Sequence, residues 1–300
     1  MIKVPDKFDV RFIDSSRLST IARCETRFVL KCLYGFVHPE ENILPLDYGS
    51  VMHLVLPHMY SGETKRAIEV FTAEWARYDY GEEDQKRNTA LSLARIMDFV
   101  SNHSPDVCPY EILHFDFSSP SKMISENEIP FLIDIGAIYP FCGRIDEGVF
   151  HKTLKAIFAY DFKTSSEISA RYFDGFWFSN QAVGYTLALS QISGKKITGM
   201  MYEAMRVSKT NIENQMGFCY VSDTNIRKFI EETKLTCARI EAANETGLWR
   251  QNHSMCSSYA GFGFPCKTCE YKLLCDSPNW KDSVRYYRRK KPFDPLDDKE

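Results

Sequence analysis

Two segments in the middle of the chain, FCGRIDEGVF and IFAYDFKTS, each set an aspartate inside a run of apolar residues. Runs this short, rich in aromatic and β-branched residues, predict strands. The intervening HKTLK is short enough for a hairpin. If the hairpin is centred near Thr153–Leu154, antiparallel pairing sets Asp146 opposite Asp161, with Cβ atoms about 4.5–5.5 Å apart on one face. Strand period two then puts Lys163 on that same face. Opposed carboxylates repel, and strand interiors disfavour aspartate. A hard divalent cation between the two answers both objections, because Mg²⁺ takes carboxylate oxygens and waters. Such an ion lowers the pKa of a bound water and stabilises charge on a phosphoryl oxygen. An adjacent ammonium orients the attacking water and offsets the developing negative charge. An isolated Asp-x-Lys arises often by chance, with a solvated surface hairpin as its ordinary setting. Here the register and the apolar flanks favour a site.

The rest of the chain gives that hairpin its surroundings. Residues 14–34 predict a helix with Ser15 or Ser16 as N-cap and Gly35 just past its end. A second helix is expected over 47–60, bent or ended near Pro57, with two more at 63–79 and 83–102. Residues 110–117 and 128–163 together predict three or four strands. A long helix at about 168–192 precedes Gly194. Strands follow at 196–206 and 215–222, then a helix at 223–244. Residues 245–280 hold a cysteine cluster among Gly, Pro and Ser, which predicts irregular structure pinned by a metal. The tail after 280 runs from basic to acidic and is expected to fray. The expected organisation is a helical region (1–105), a mixed α/β core (106–244), a cysteine-rich segment (245–280) and a charged tail (281–300).

Composition excludes little. The net charge is −3, with 44% hydrophobic and 26% charged residues. No apolar run approaches a membrane span, and MIKVPDKFDVRF lacks a signal-peptide core. A cytoplasmic protein with no membrane contact is expected, its ten cysteines thiols or metal ligands rather than disulfides.

GRID followed by a strand ending in YDFKTS resembles the core of the PD-(D/E)XK nuclease superfamily, and within it the RecB/AddB-like exonuclease branch. Two further motifs carry the likeness. In YGSVMH, His53 falls where that branch has a helix-borne metal ligand. In QAVGYTLAL, Gln181 and Tyr185 match its Q-x-x-x-Y helix, implied to position the substrate or the lysine. Four residues apart, they share one helix face. On burial grounds a lone histidine in SVMHLVL is more often a core residue, so the motifs gain their weight together. The resemblance spans about residues 15–275. It implies a restriction-endonuclease-like fold, a mixed central sheet flanked by helices. It also implies Mg²⁺ or Mn²⁺ held by His53, Asp146 and Asp161, with Lys163 assisting. A further acidic ligand is not identified, and Glu40, Glu41, Glu111 and Glu128 all stay open.

Near the C-terminus, FPCKTCEYKLLC sets Cys266, Cys269 and Cys275 at C-x2-C-x5-C, three soft ligands where a tetrahedral site needs four. The RecB-like branch often completes such a motif with an N-terminal cysteine to bind a 4Fe–4S cluster, and CETRF at Cys24 resembles that setting. Cys256 is the local rival. Closing a loop of about 10 residues rather than about 240 favours it by about 3 kcal/mol for a free chain, but a folded core already fixes both ends. Cys32, on the same helix as Cys24, is a weaker candidate. Four thiolates fit Zn²⁺ as well as iron–sulfur.

The expected function is a metal-dependent DNA nuclease, an exonuclease acting on single-stranded DNA or free ends in recombination, repair or phage DNA processing. The alternative is a catalytically silent DNA-binding or adaptor subunit beside a helicase or recombination partner. No helicase P-loop is present, so any motor is another chain. Arg23, Arg27, Lys31, Arg144, Arg171 and Lys209 are candidates for phosphate contacts, and Tyr172 and Trp177 for base stacking.

Overall fold

The computed structural model describes residues 2–4, 6–38, 44–78, 84–104, 106–113, 128–177, 179–252, 259–260, 264–265, 269–277 and 279–291. In chain order the principal elements are β1 (Ile2–Lys3), α1 (Ser15–Arg23), α2 (Glu25–Phe28), β2 (Phe36–Val37), α3 (Leu44–Tyr60), α4 (Thr64–Trp75) and α5 (Thr89–Asn102). Then come β3 (Tyr110–Ile112), β4 (Ile129–Ile133), β5 (Phe141–Ile145), β6 (Glu147–His151) and β7 (Ala156–Ser165). The chain continues through α6 (Ala170–Asp174), α7 (Asn180–Ser193), β8 (Gly199–Arg206), β9 (Asn214–Tyr220) and α8 (Asp223–Thr246). Two compact units result. One comprises Met1–Glu41, Leu132–Gly143 and Arg227–Asp297, the other Asn42–Phe131, Arg144–Ile226 and Asp298–Glu300.

The second unit is built on a mixed five-stranded sheet of order β3-β6-β7-β8-β9. Only β7 and β8 run parallel, joined through α6 and α7; the other neighbours are antiparallel. This is the mixed α/β architecture the sequence predicts. Helices α3, α4 and α5 bury Tyr48, Val51, Val55, Phe71, Ile96 and Phe99 against Phe158, Tyr160, Phe162 and Met201 of the sheet. Full burial of each such side chain contributes about 1.5–3 kcal/mol.

Within this apolar layer lies a polar cluster. The Glu203 carboxylate accepts hydrogen bonds from the Tyr110 and Tyr160 hydroxyls at 2.7 and 2.8 Å. Its other oxygen lies 2.8 Å from His103 Nε2.

Helix boundaries depart from the periodicity where local capping chemistry intervenes. Asp14, not Ser15 or Ser16, caps α1, accepting from the Arg17 amide at 2.8 Å. The expected single helix over 14–34 breaks at Cys24, whose backbone is extended (φ −167°, ψ 122°), and ends in a π-helical turn, Val29–Leu33. The break is held from outside the helix. The Glu25 carboxylate accepts from Arg239 Nε at 2.8 Å, from its terminal nitrogen at 3.0 Å and from the Arg250 amide at 2.9 Å. Gly35 takes the left-handed conformation past the end, as expected (φ 71°). Helix α3 runs through Pro57 to Tyr60, although proline has no N–H to offer the His53 carbonyl one turn back. The expected helix over 168–192 is two helices, because Ser179 caps α7 by accepting from the Ala182 amide at 3.1 Å. The described part of the tail, 281–291, is held by backbone pairing rather than frayed. Arg288 and Arg289 pair with Val37 and Phe36, and Arg289 Nε donates to the Tyr34 carbonyl at 3.0 Å.

Candidate active site

The β6–β7 hairpin has the symmetry of its sequence. His151 pairs with Ala156 and Glu147 with Tyr160, so the turn is centred on Thr153–Leu154. Extending the register by one places Asp146 across from Asp161. Asp146 does not continue a strand, however. It occupies the bend where the chain leaves β5 and enters β6. The bend turns its carboxylate to accept the Phe162 amide at 2.7 Å. His53 Nδ1, from α3, lies 3.3 Å from the same oxygen. Helix α3 approaches β7 closely through Gly49, where a Cβ would stand 3.4 Å from Thr164 Oγ1.

Asp161, on β7, is buried and held from two sides. Lys163 Nζ lies 2.5 Å from Oδ2, and Gln181 Nε2 donates to Oδ1 at 2.8 Å. Lys163 is therefore on the same face as Asp161, and α7 delivers Gln181 to it. Tyr185, one turn further along, is buried with its ring 5.3 Å from Phe131.

The charges in this cluster shift one another. Burial raises the Asp161 carboxyl, and Asp146 adds to the rise against the pull of Lys163. Burial also works against ionised Asp146, but His53 and Lys163 outweigh it and hold that carboxyl below its ordinary value. Burial disfavours the His53 imidazolium, and the Asp146 carboxylate overcomes it, so His53 is raised. Lys163 behaves likewise: burial opposes its charge, and Asp161 and Asp146 win.

One residue joins the site that sequence motifs did not single out. Glu128, just before β4, brings a carboxylate oxygen into a group with His53 and Asp146 whose ligating atoms all lie within 4.8 Å of one another. Glu128 also contacts Arg144 of β5, at 3.3 Å. Arg144, a candidate phosphate contact by sequence, is thus largely buried and engaged with Glu128. One imidazole and two carboxylates, with Asp161 across the hairpin, form a hard N/O donor set that fits Mg²⁺ or Mn²⁺.

Cys24, Cys32, Cys269 and Cys275 belong to the other unit. Cys24 receives the Asn252 amide at 3.4 Å and donates toward the Arg250 carbonyl at 3.7 Å. Arg27, three residues on, makes a double contact with Glu270, beside Cys269, at 2.7 and 3.0 Å. Burial pushes the Tyr287 phenol up to about 12, with Cys269 and Cys275 adding to the rise. Burial likewise pushes the Cys32 thiol up to about 11, the value of a protonated core thiol. Cys256 and Cys266 lie outside the described residues. No helix among the described residues is long and apolar enough to cross a membrane.

Comparison with known proteins gives one strong match. The family model of the PD-(D/E)XK nuclease superfamily matches residues 15–276. No curated protein matches the chain significantly. Among solved structures, a candidate exonuclease from Eubacterium rectale aligns at 12% identity and a TM-score of 0.43, covering 89% of this chain and 94% of that one. The protein SSO0001 aligns at 11% identity and a TM-score of 0.30, covering 76% and 77%.

Proposed function

The chain belongs to the PD-(D/E)XK nuclease superfamily, and from that premise we propose that it is a divalent-metal-dependent deoxyribonuclease that degrades single-stranded DNA from a free end. The observation that carries this reading is the convergence of His53, Glu128, Asp146, Asp161 and Lys163 on one end of the β6–β7 hairpin. Asp146, Asp161 and His53 are the proposed Mg²⁺ or Mn²⁺ ligands, with Glu128 as the acidic ligand missing from the sequence motifs. A cation held there supplies positive charge at the phosphoryl oxygen and a more acidic water. The chain's own groups do the positioning. Gln181 fixes the Asp161 carboxylate through Oδ1, and the Lys163 ammonium offers N–H donors and charge where the phosphate oxygens gain negative charge. Tyr185 backs the helix that carries Gln181.

The test compares linear single-stranded DNA, a closed single-stranded circle, duplex DNA and RNA, with Mg²⁺ or Mn²⁺ and with chelator. Linear single strands should be degraded only with metal, and the circle should survive. Cleavage of the circle at the linear rate would reject action from ends, and metal-independent cleavage would reject the site.

For the cysteines we favour a 4Fe–4S cluster held by Cys24, Cys266, Cys269 and Cys275, a clasp between the N-terminal helices and the C-terminal segment. The Arg27–Glu270 pair and the placement of Cys24 beside Arg250 and Asn252 support that choice. Anaerobically purified protein should show a broad absorption shoulder near roughly 400 nm, and Cys24→Ala should lose iron and stability together. A colourless zinc protein would reject the cluster, and full iron in Cys24→Ala would move the fourth ligand to Cys256.

A further inference from the structure

Between the strand that carries Lys163 and the helix that carries Gln181, the chain reads ARYFDGFW, with four aromatic residues within 172–177. Connections at a protein surface are ordinarily polar, so each ring needs a reason. Two of them are anchors. The Phe173 ring lies on the bare backbone of Gly217 in β9, where an added Cβ would come within 2.3 Å of it. Phe176 stacks on Tyr202 of β8, ring centres 4.4 Å apart and planes 23° from parallel. Tyr172 meets both anchors edge-on at 5.2 Å, and its phenol lies in the field of Lys163. Trp177 keeps 54% of its surface open, and Arg171 is exposed.

The flanking residues locate Trp177. Tyr172 stands five residues before it and interacts with Lys163; Gln181 stands four residues after it and bonds Asp161 at 2.8 Å. Four Cα steps span at most about 15 Å, so the indole is carried within a few nucleotides of the carboxylates. The two anchors hold it there without ordering a new segment on binding.

We infer that Trp177 is a stacking platform for a nucleobase of a single-stranded polynucleotide close to the scissile phosphate, with Arg171, exposed on the same connection, for the backbone. An aromatic face accepts any base and strengthens binding by about tenfold or more per base stacked. A paired base offers no free face until it is unstacked, so the platform selects single strands. The inference rests on the nuclease reading and deepens it.

The experiment measures steady-state cleavage of 5′-fluorescein-labelled oligodeoxythymidylate in Mn²⁺ by wild type, Trp177→Ala and Trp177→Phe. A matched set of oligonucleotides carries one abasic residue at successive positions. Trp177→Ala should raise KM about tenfold with kcat within about twofold, and Trp177→Phe should recover most of the loss. One abasic position should raise the wild-type KM by a similar factor and add nothing to Trp177→Ala. Equal kinetics of Trp177→Ala and wild type would overturn the platform, whatever other protein the indole then proved to bind. So would an abasic penalty that persists in full in the variant. Wild type that cleaves no polynucleotide would instead overturn the nuclease reading, and the platform with it.

Discussion

Replacing Asp161 by asparagine should lower metal-dependent cleavage by about a thousandfold or more while the chain keeps its fold. Asparagine preserves the shape and can still accept the Gln181 bond through Oδ1, so the change removes charge alone. The loss of several kcal/mol of cation-mediated stabilisation sets the size of the rate effect, at about 1.4 kcal/mol per factor of ten. Metal-free stability should change little, because two contributions oppose each other. The Asp161 carboxyl is raised in the fold, and a raised acid loses stabilisation as pH rises through its folded value. Asparagine removes that penalty at neutral pH. Against this, Lys163 loses its nearest partner, although Asp146 still faces it. The second readout is thermal. At a hundredfold excess over its Kd, Mn²⁺ should stabilise wild type by about 2.7 kcal/mol, and the variant should show almost none of that gain. Cleavage within tenfold of wild type, or an undiminished Mn²⁺ shift in Tm, would remove Asp161 from the metal site.

The hairpin behind this expectation was legible because register is arithmetic. Once HKTLK is taken as the turn, residue numbers summing to a constant fix which side chains oppose, and His151 with Ala156 has the same sum as Asp146 with Asp161. Lys163 follows from the strand period alone. His53 and Gln181 were legible only through family motifs, since nothing local in SVMHLVL or NQAVGY says which way a helix will face. Glu128 was not singled out for a different reason. Its approach to Asp146 depends on where the chain enters β4 and leaves β5, and neither position has a turn signature that fixes it. The Arg144–Glu128 contact then uses one of the cations that composition alone offers to DNA.

The break at Cys24 shows the same limit from the helix side. Periodicity over 14–34 is that of one helix, and propensity gives no reason to stop at a cysteine. What stops it is tertiary: three donors on Glu25 and the Arg250 carbonyl receiving the Thr26 amide at 3.0 Å. A chain segment more than two hundred residues away thus decides a local φ, which no window of sequence contains.

Glu203 is the strongest case of chemistry hidden in an ordinary strand, and Glu203→Ala should cost about 3–5 kcal/mol, the penalty for breaking a buried charged network. GMMYEAMR reads as an apolar strand with one acid, and the acid is 2% exposed. Its two oxygens serve three donors. Tyr110 and Tyr160 donate to one, and His103 Nε2 faces the other. His103 Nδ1 lies 2.7 Å from the Phe99 carbonyl, an acceptor only, so the ring must donate there and one proton must lie between Nε2 and Glu203. Alanine deprives two hydroxyls and an imidazole of their shared carboxylate in a layer packed against Phe99 and Phe162. The expected drop in Tm is about 10 °C. Glu203→Gln should lose less, because an amide oxygen still accepts from the tyrosines. A cycle with His103→Leu separates network from bulk packing: the two changes together should cost at least about 1 kcal/mol less than their sum. Strict additivity, or a loss under 1 kcal/mol for Glu203→Ala, would reduce the cluster to independent contacts.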